Sequence, residues 1–573
     1  MADVKVQVTG GKEEKMLKGG MKTTPFIFAN EISEKLAVVG FAANMITYLT
    51  MELHMPLVKA ATTLTNFSGA ASLTPLFGAF LADAYIGRFW TIAGASFIYT
   101  IGMLILTVSA IVPQLRPQPY REATTYQLGV FYVSLLLTAI GAGGIRSCVV
   151  AFGAEQFEEG GDGRTGSMRD KKSKTWTFFN WYYFCMGASI LLAVTVIVYI
   201  QDNIGWGVGL GIPTAAMAIS VVSFVAGHKM YRMMDPNESP FTRLIQVIVA
   251  AIKKRNVPVI DGGRDLYEND ELDKDISVFG KLLHTDQLKF LDKAAVVTEE
   301  ESEWKGLKPN LWRLSTVHRV EELKSVIRMG PIWAAGILVI TASAQQFTFS
   351  LQQARTMDRH ITNRSTFQIP PGSMSVFTIL AMLVTIAVYD RCLIPLARHF
   401  TGLPRGISFL YRMGIGFTIS ILATFVSGVM EVKRRHSATS PSAMTVPISV
   451  FWLVPQYSLH GIAEAFTSIG HLEFFYDQSP ESMRSTAAAL FWMSISMGNY
   501  VSSFVVSTVH HLSTGPDQSN WLPNNLNKGK LEYLYWIITV LQVFNLAYYC
   551  VCAYFYTYKP VARPRPEDVE LAE

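Results

Sequence analysis

The sequence predicts an all-α polytopic membrane protein of twelve transmembrane helices in two six-helix bundles. Three observations carry this. Half of the 573 residues are hydrophobic and only 16% are charged, against roughly 25% in soluble domains. Apolar runs near the ~20 residues that span a hydrocarbon core recur about twelve times. Six precede a polar stretch of about a hundred residues and six follow it, which suggests two bundles related by an axis along the membrane normal, with a site between them near the midplane.

In chain order the runs are 27–51, 61–83, 89–113, 126–152, 176–200, 204–228, 331–352, 373–393, 406–430, 446–470, 483–510 and 532–557. They divide the chain into a tail (1–26), a first bundle (27–228), a linker (229–330), a second bundle (331–557) and a closing tail (558–573). With both tails and the linker on one side, that side holds 36 of the 49 Lys and Arg against 11 opposite, with Lys35 and Arg146 inside spans. The positive-inside rule makes it cytoplasmic. A net charge of +5 then reflects these loops, and no nucleic-acid partner is expected. Cys148, Cys185, Cys392, Cys550 and Cys552 show neither a disulfide framework nor zinc spacing. The polar, basic 25-residue lead with Glu13 and Glu14 does not read as a cleaved signal or a transit peptide. A sequon, Asn363-Arg364-Ser365, falls in an expected outside loop.

The first span carries Glu31, Glu34 and Lys35. An ionised side chain at membrane depth costs roughly 2.5–3.5 kcal/mol on insertion scales. Spacings of three and four put all three on one helix face, which must look into protein or a wet cavity. A proton-handling site is the expectation; an ion-pair network that braces helices is the alternative. Arg146 is the only other basic residue within a first-half span and needs an anionic partner there. Pairing would depress a glutamate pKa and burial alone would raise it, so a glutamate released from Arg146 can take a proton.

Span two ends in Gly78-Ala-Phe-Leu-Ala-Asp83-Ala-Tyr-Ile-Gly87-Arg88, and span eight in Asp390-Arg391. An acid and an arginine at corresponding ends are candidates for clamps that break as the bundles rock, though ordinary end-of-span charge also explains the second pair. Within the linker, Thr242–Arg255 has helical apolar spacing and a basic end, suited to lying on the membrane or packing beneath the bundles. Val320–Met329 reads as a helix running into span seven with Pro331 at the junction, and Asp261–Lys308 as a charged, partly mobile tether with scope for regulation.

These features resemble the plant nitrate/peptide transporter family, the proton-coupled oligopeptide transporters of the major facilitator superfamily. The resemblance rests on Glu31-Ile-Ser-Glu34-Lys35, Asp83 with Gly87-Arg88, Gly141-Ala-Gly-Gly-Ile-Arg146, Phe290-Leu-Asp-Lys-Ala-Ala and Val320-Glu-Glu-Leu-Lys, and covers nearly the whole chain. Phe26-Ile-Phe-Ala-Asn-Glu-Ile and Gly470-His-Leu-Glu-Phe-Phe-Tyr-Asp-Gln look most like the branch associated with nitrite, nitrate and gibberellin. The resemblance implies a major facilitator fold and proton-coupled symport through Glu31, Glu34, Lys35 and Arg146, the last standing where many relatives have lysine. An arginine resists deprotonation and favours bidentate contacts. It also implies that Glu464, the one acid deep in a second-half span, lines the far side of the cavity.

Departures bear on the cargo. Val38-Val39-Gly40 replaces the paired tyrosines before glycine of peptide-transporting relatives, Ser343 stands where a histidine is linked to nitrate binding, and Gly187-Ala-Ser189-Ile190 replaces Asn-x-Gly-Ser. The expected substrate-binding set is Arg146, Tyr183, Ser343, Gln345 and Glu464, with Trp181, Tyr182 and Gln346 as further lining; packing or interface anchoring is the alternative for each aromatic and amide. The expectation is import of a small anion or organic carboxylate, gibberellin-like, nitrite or nitrate. A sensor with a transporter fold and a di/tripeptide symporter are the alternatives. No His-Glu-x-x-His, Gly-x-Ser-x-Gly or phosphate-binding loop occurs, so no enzyme is expected. Protons as coupling ion, no further cofactor, no metal, a lipid environment and kinase regulation of cytoplasmic loops complete the expectation. The plasma membrane is the default location and a chloroplast envelope the alternative.

Overall fold

A computed structural model describes residues 19–118, 121–156, 181, 182, 184–233, 240–257, 266–273, 276, 281–298, 301, 310–361, 366–401, 407–438, 445–480, 484–514 and 520–558. Tyr183, the sequon at 363–365 and much of the stretch 261–308 lie outside them. Ten helices among the described residues are long and apolar enough to cross a membrane. Two more have the length and carry charged residues within the span: α1, Thr24–Ala42, and α10, Val454–Gln478. The others are α2, Leu57–Leu81; α3, Arg88–Ile111; α4, Thr125–Glu155; α5, Phe184–Asn203; α6, Trp206–Ala226; α7, Val317–Ser343; α8, Pro371–Phe400; α9, Phe409–His436; α11, Arg484–Ser513; and α12, Leu531–Tyr554. Leu136, Val222, Phe504 and Phe544 stay exposed on outer faces, as lipid-facing positions require, since hydrocarbon solvates them as well as a core does.

The packing of one half maps onto the other by adding six. In the first bundle α3 packs on α4 and α6, α2 on α4, and α1 on α5 and α6; in the second α9 packs on α10 and α12, α8 on α10, and α7 on α11 and α12. The seams between bundles, α2 with α11 and α5 with α8, exchange under the same shift. A π turn, Ala82–Ile86, follows α2, and another, Tyr389–Leu393, interrupts α8 before its last turns. This is the twofold relation that twelve spans around a linker predict.

The two bundles merge on the face opposite the chain ends. There one buried core joins first-bundle residues such as Tyr48 and Leu53 to Phe349, Val506 and Leu531 of the second bundle, whereas Met329, Ile332, Phe409 and Phe474, nearer the chain ends, form a core of the second bundle alone. Ser373 Oγ donates to Val194 O at 2.7 Å, and a side chain at Gly372 would press within 2.8 Å of Ala43 O. Leu57 N donates to Asn524 Oδ1 at 2.9 Å, and Tyr199 stacks on Phe367 with centroids 5.9 Å apart. The molecule is therefore sealed on that face.

The linker is a collar rather than a loose tether. Its helix Pro240–Lys253 buries Val247, Ala250 and Ala251 against the turn Lys289–Ala295 and the first turns of α7, and leaves Ile245, Ile248 and Ile252 exposed. Helix α7 runs unbroken through Pro331. Lys324, wholly buried, bridges Asp292 at 2.7 Å and Glu321 at 2.8 Å, so the described part of the segment expected to be mobile is pinned to α7.

Candidate functional site

Local chemistry on three helices places the charges. In α4, Gly141, Gly143 and Gly144 let the helix seat against α3 and α2: a side-chain carbon at Gly141 would lie 2.6 Å from the backbone of Tyr99, and one at Gly143 would collide with Thr74. Small residues allow this approach in membranes, where packing must replace the hydrophobic drive. Two residues later Arg146 faces α1. There Asn30, Glu31, Ser33 and Glu34 form a buried face, with Asn30 Nδ2 donating to Ser96 Oγ of α3 at 3.0 Å.

Glu34 has no exposed surface. Its Oε1 accepts from Arg146 Nε at 2.9 Å and its Oε2 from Lys35 Nζ at 2.6 Å. Lys35 also bridges to Glu31 Oε1 at 3.1 Å, which accepts in addition from the Tyr182 hydroxyl at 3.0 Å. Glu31 Oε2 is buried without a hydrogen-bond partner among the described residues. The four charges sum to zero. Arg146 alone reaches toward the second bundle, its guanidinium lying 5.8 Å from the Trp492 ring centre on α11. The Tyr99 hydroxyl, buried and without a hydrogen-bond partner among the described residues, is within electrostatic reach of Glu34 and Arg146. Tyr99 and Trp492 had no signal in the sequence, because only the fold brings α3 and α11 to α4.

The remaining expected residues are dispersed. Glu464 lies in the middle of α10 and is exposed. Its carboxylate has no partner among the described residues. Gln345 is turned into the second bundle, its amide donating to Ser502 Oγ at 2.8 Å and to Thr341 O at 3.1 Å; it is committed to packing, not to the cavity. Gln346 accepts from Thr378 Oγ1 at 3.1 Å, Ser343 is half-buried, and Trp181 is exposed. Tyr182, expected only as lining, joins the charge cluster directly.

The clamps need one correction. Arg88 pairs with Asp83 at 3.2 Å and also with Glu155 at the end of α4. Asp390 and Arg391 are exposed, and the second-half pair is Arg412 with Glu473 at 3.6 Å, with the Arg412 guanidinium 4.0 Å from the Tyr389 ring centre. The shift by six explains it: Arg88 to Glu155 joins α3 to α4, and Arg412 to Glu473 joins α9 to α10. Sequence proximity to Asp390 pointed at the wrong arginine. His284, Asp292 and Glu321 also come together with ligand geometry, but Lys324 occupies the carboxylates as their counter-charge.

The sequence signature of the POT family matches residues 89–522. The chain is 64% identical over 588 residues to the Arabidopsis thaliana protein NRT1/PTR family 3.1, covering 98% of this chain and 97% of that one. It is 44% identical over 566 residues to NRT1/PTR family 8.3 of the same plant, covering 97% and 95%. Among solved structures it is similar to an autoinhibited POT family peptide transporter, at a TM-score of 0.69 and 19% identity over 95% of this chain and 99% of that chain. It is also similar to the POT family transporter PepTSo, at 0.66 and 21% over 92% and 98%; at these identities the likeness shows the fold, that of the major facilitators. The chain is thus not an enzyme but a membrane transporter, and it belongs to the POT family of proton-coupled transporters, in its plant NRT1/PTR branch.

Proposed function

We propose that the chain imports a small anion or organic carboxylate, such as a gibberellin-like acid, nitrite or nitrate, in symport with protons. The observation that carries this is the closed charge balance around Glu34. Both carboxylate oxygens are held, one by Arg146 and one by Lys35, and the four-charge cluster is neutral. An incoming anion adds a negative charge where desolvated charge must be balanced. Arg146 is the group it would meet, because its guanidinium is partly accessible and turned toward the space bounded by Trp492. As the anion takes Arg146, Glu34 loses a charge-assisted bond worth about 1.5–3 kcal/mol, and a proton on Glu34 restores neutrality. Substrate and proton then load together, and neither state with only one of them is stable in the occluded protein. Protons are the coupling ion and no further cofactor is required.

Two valines at 38 and 39 favour an apolar wall over the hydroxyls that a peptide backbone would use. Glu464, without a counter-charge, suits a substrate carrying a hydroxyl or a protonated group at its far end. We assign the face bearing the chain ends to the cytoplasm of the plasma membrane by the positive-inside bias, so the sealed face is external and the conformation opens inward. The test is an uptake panel in oocytes of nitrite, nitrate, gibberellin, abscisic acid and a dipeptide at pH 5.5 and 7.5. Uptake of an anion that rises with the inward proton gradient, and that falls and loses this dependence in Glu34→Gln, is expected; uptake of the dipeptide alone would overturn the anion assignment.

A further inference from the structure

On the sealed face a cavity of about 330 Å³ lies across the seam between the bundles. The first bundle contributes Thr47, Asp202 and Trp206, and the second Arg355, Arg359 and Gln368. A neighbouring cavity of about 420 Å³ shares Asp202 and Trp206 and adds Gln201 and Arg116. None of these residues belongs to the charge cluster around Glu34.

The polar groups on these walls are incompletely used. Thr47 Oγ1 and Gln201 Nε2 are buried without a hydrogen-bond partner among the described residues, and both side chains are at least nine-tenths buried. Arg355 donates to Thr50 Oγ1 at 3.2 Å and contacts the Met51 sulfur. Arg359 donates to Ile369 O at 3.3 Å and Gln368 Oε1 at 3.0 Å. Neither guanidinium has a carboxylate at ion-pair distance among the described residues; the two lie close enough to repel each other, and both share Asp202 as their nearby negative charge. Asp202 is engaged by Asn44 Nδ2 at 2.8 Å. The cavity at the seam carries two arginines and two acids, Asp202 and Glu52, and Arg116 on the wall of the neighbouring cavity brings the pair of cavities to one positive charge in excess. Two guanidiniums that share a single nearby carboxylate, the orphaned hydroxyl of Thr47, the Gln201 amide of the adjoining wall and an indole are a donor set for one monovalent anion with an apolar body.

We propose that this seam is a second anion site, taking an aromatic or otherwise amphipathic carboxylate that bridges Arg355 and Arg359 of one bundle to Thr47 and Gln201 of the other. It is distinct from the central site and stands whether or not Arg146 binds the transported substrate. Because its walls come from both bundles, it exists only while this face is closed. A ligand that binds one conformation alone shifts the population toward it, so an anion held here keeps the carrier open toward the chain ends.

The test is thermal unfolding of the purified full chain in detergent at pH 7 with and without millimolar benzoate, on wild type, Arg146→Gln, the pair Arg355→Gln with Arg359→Gln, and the milder Thr47→Val. A ligand that binds only the folded protein raises its melting temperature. The site predicts a benzoate-dependent rise in wild type that persists in Arg146→Gln, is lost in the arginine pair and is reduced in Thr47→Val. Should the arginine pair not fold, loss of the rise in Thr47→Val with retention in Arg146→Gln supports the site equally. A rise lost in Arg146→Gln but kept in the arginine pair and in Thr47→Val would place benzoate in the central cavity and overturn this inference while leaving the symport reading intact. A rise in none of the proteins also overturns it.

Discussion

At the residue scale the behaviour of the carrier turns on which partner Glu34 holds. Replacing it with Gln keeps the shape and removes the titratable charge, leaving Arg146 Nε a neutral amide oxygen in place of a carboxylate as acceptor. Uptake should fall about tenfold or more, as expected for losing a charged hydrogen bond of about 1.5–3 kcal/mol, and the residue of activity should no longer depend on the proton gradient, measured as initial rate against external pH. Arg146→Lys keeps the charge but exchanges a planar fork for a point donor. It should retain proton dependence with a raised KM for the anion, read from saturation curves. The triplet in α1 and its partner Arg146 were legible in the sequence, because ionised groups in an apolar helix are costly and few. Tyr182 as a partner of Glu31, and Trp492 facing Arg146, were not legible, since an aromatic in an apolar span costs little and carries no mark of the charge it meets. Gln345 misled for the opposite reason: an amide in an apolar span looks functional until its internal acceptors are seen.

At the scale of elements, α4 owes its position to glycines and α7 owes its base to the linker. Gly143→Leu places a side chain into Thr74 of α2, so α4 must move away and carry Arg146 with it. The expected result is protein that reaches the membrane with uptake reduced at least as far as in Glu34→Gln, compared by surface labelling and flux. Lys324→Met leaves Asp292 and Glu321 buried without their shared counter-charge. Breaking a buried ion pair by removing one partner costs about 3–5 kcal/mol, so the melting temperature in detergent should drop, and the double change Lys324→Met with Asp292→Leu should recover part of the loss. Helical spacing in Thr242–Arg255 and the run into Pro331 were readable beforehand. The docking of the collar was not, because its anchoring groups, Asp292 and Lys324, read in sequence as ordinary linker charges. The same limit hid Arg412 with Glu473, whose equivalence to Arg88 with Glu155 depends on the twofold relation of the helices rather than on the order of residues.

For the whole molecule, twelve spans, a central linker and two bundles followed from hydrophobic run length and from Lys and Arg placement, both of which the bilayer imposes directly. Which face is sealed did not follow, because alternating conformations share one sequence and differ only in which seam contacts are made. The contacts of Ser373 with Val194 and of Leu57 with Asn524 hold that face closed in this conformation. The central claim is that an anion and a proton load together at the Glu34 and Arg146 pair. It is tested most directly by adding an anion that the carrier transports, free of buffer, to purified protein at pH 6.5 and recording proton uptake alongside anion binding. The account predicts that wild type takes up protons as it binds the anion and that Glu34→Gln takes up none. Binding of the anion by wild type with no change in bound protons, or the same proton uptake in Glu34→Gln, would contradict it.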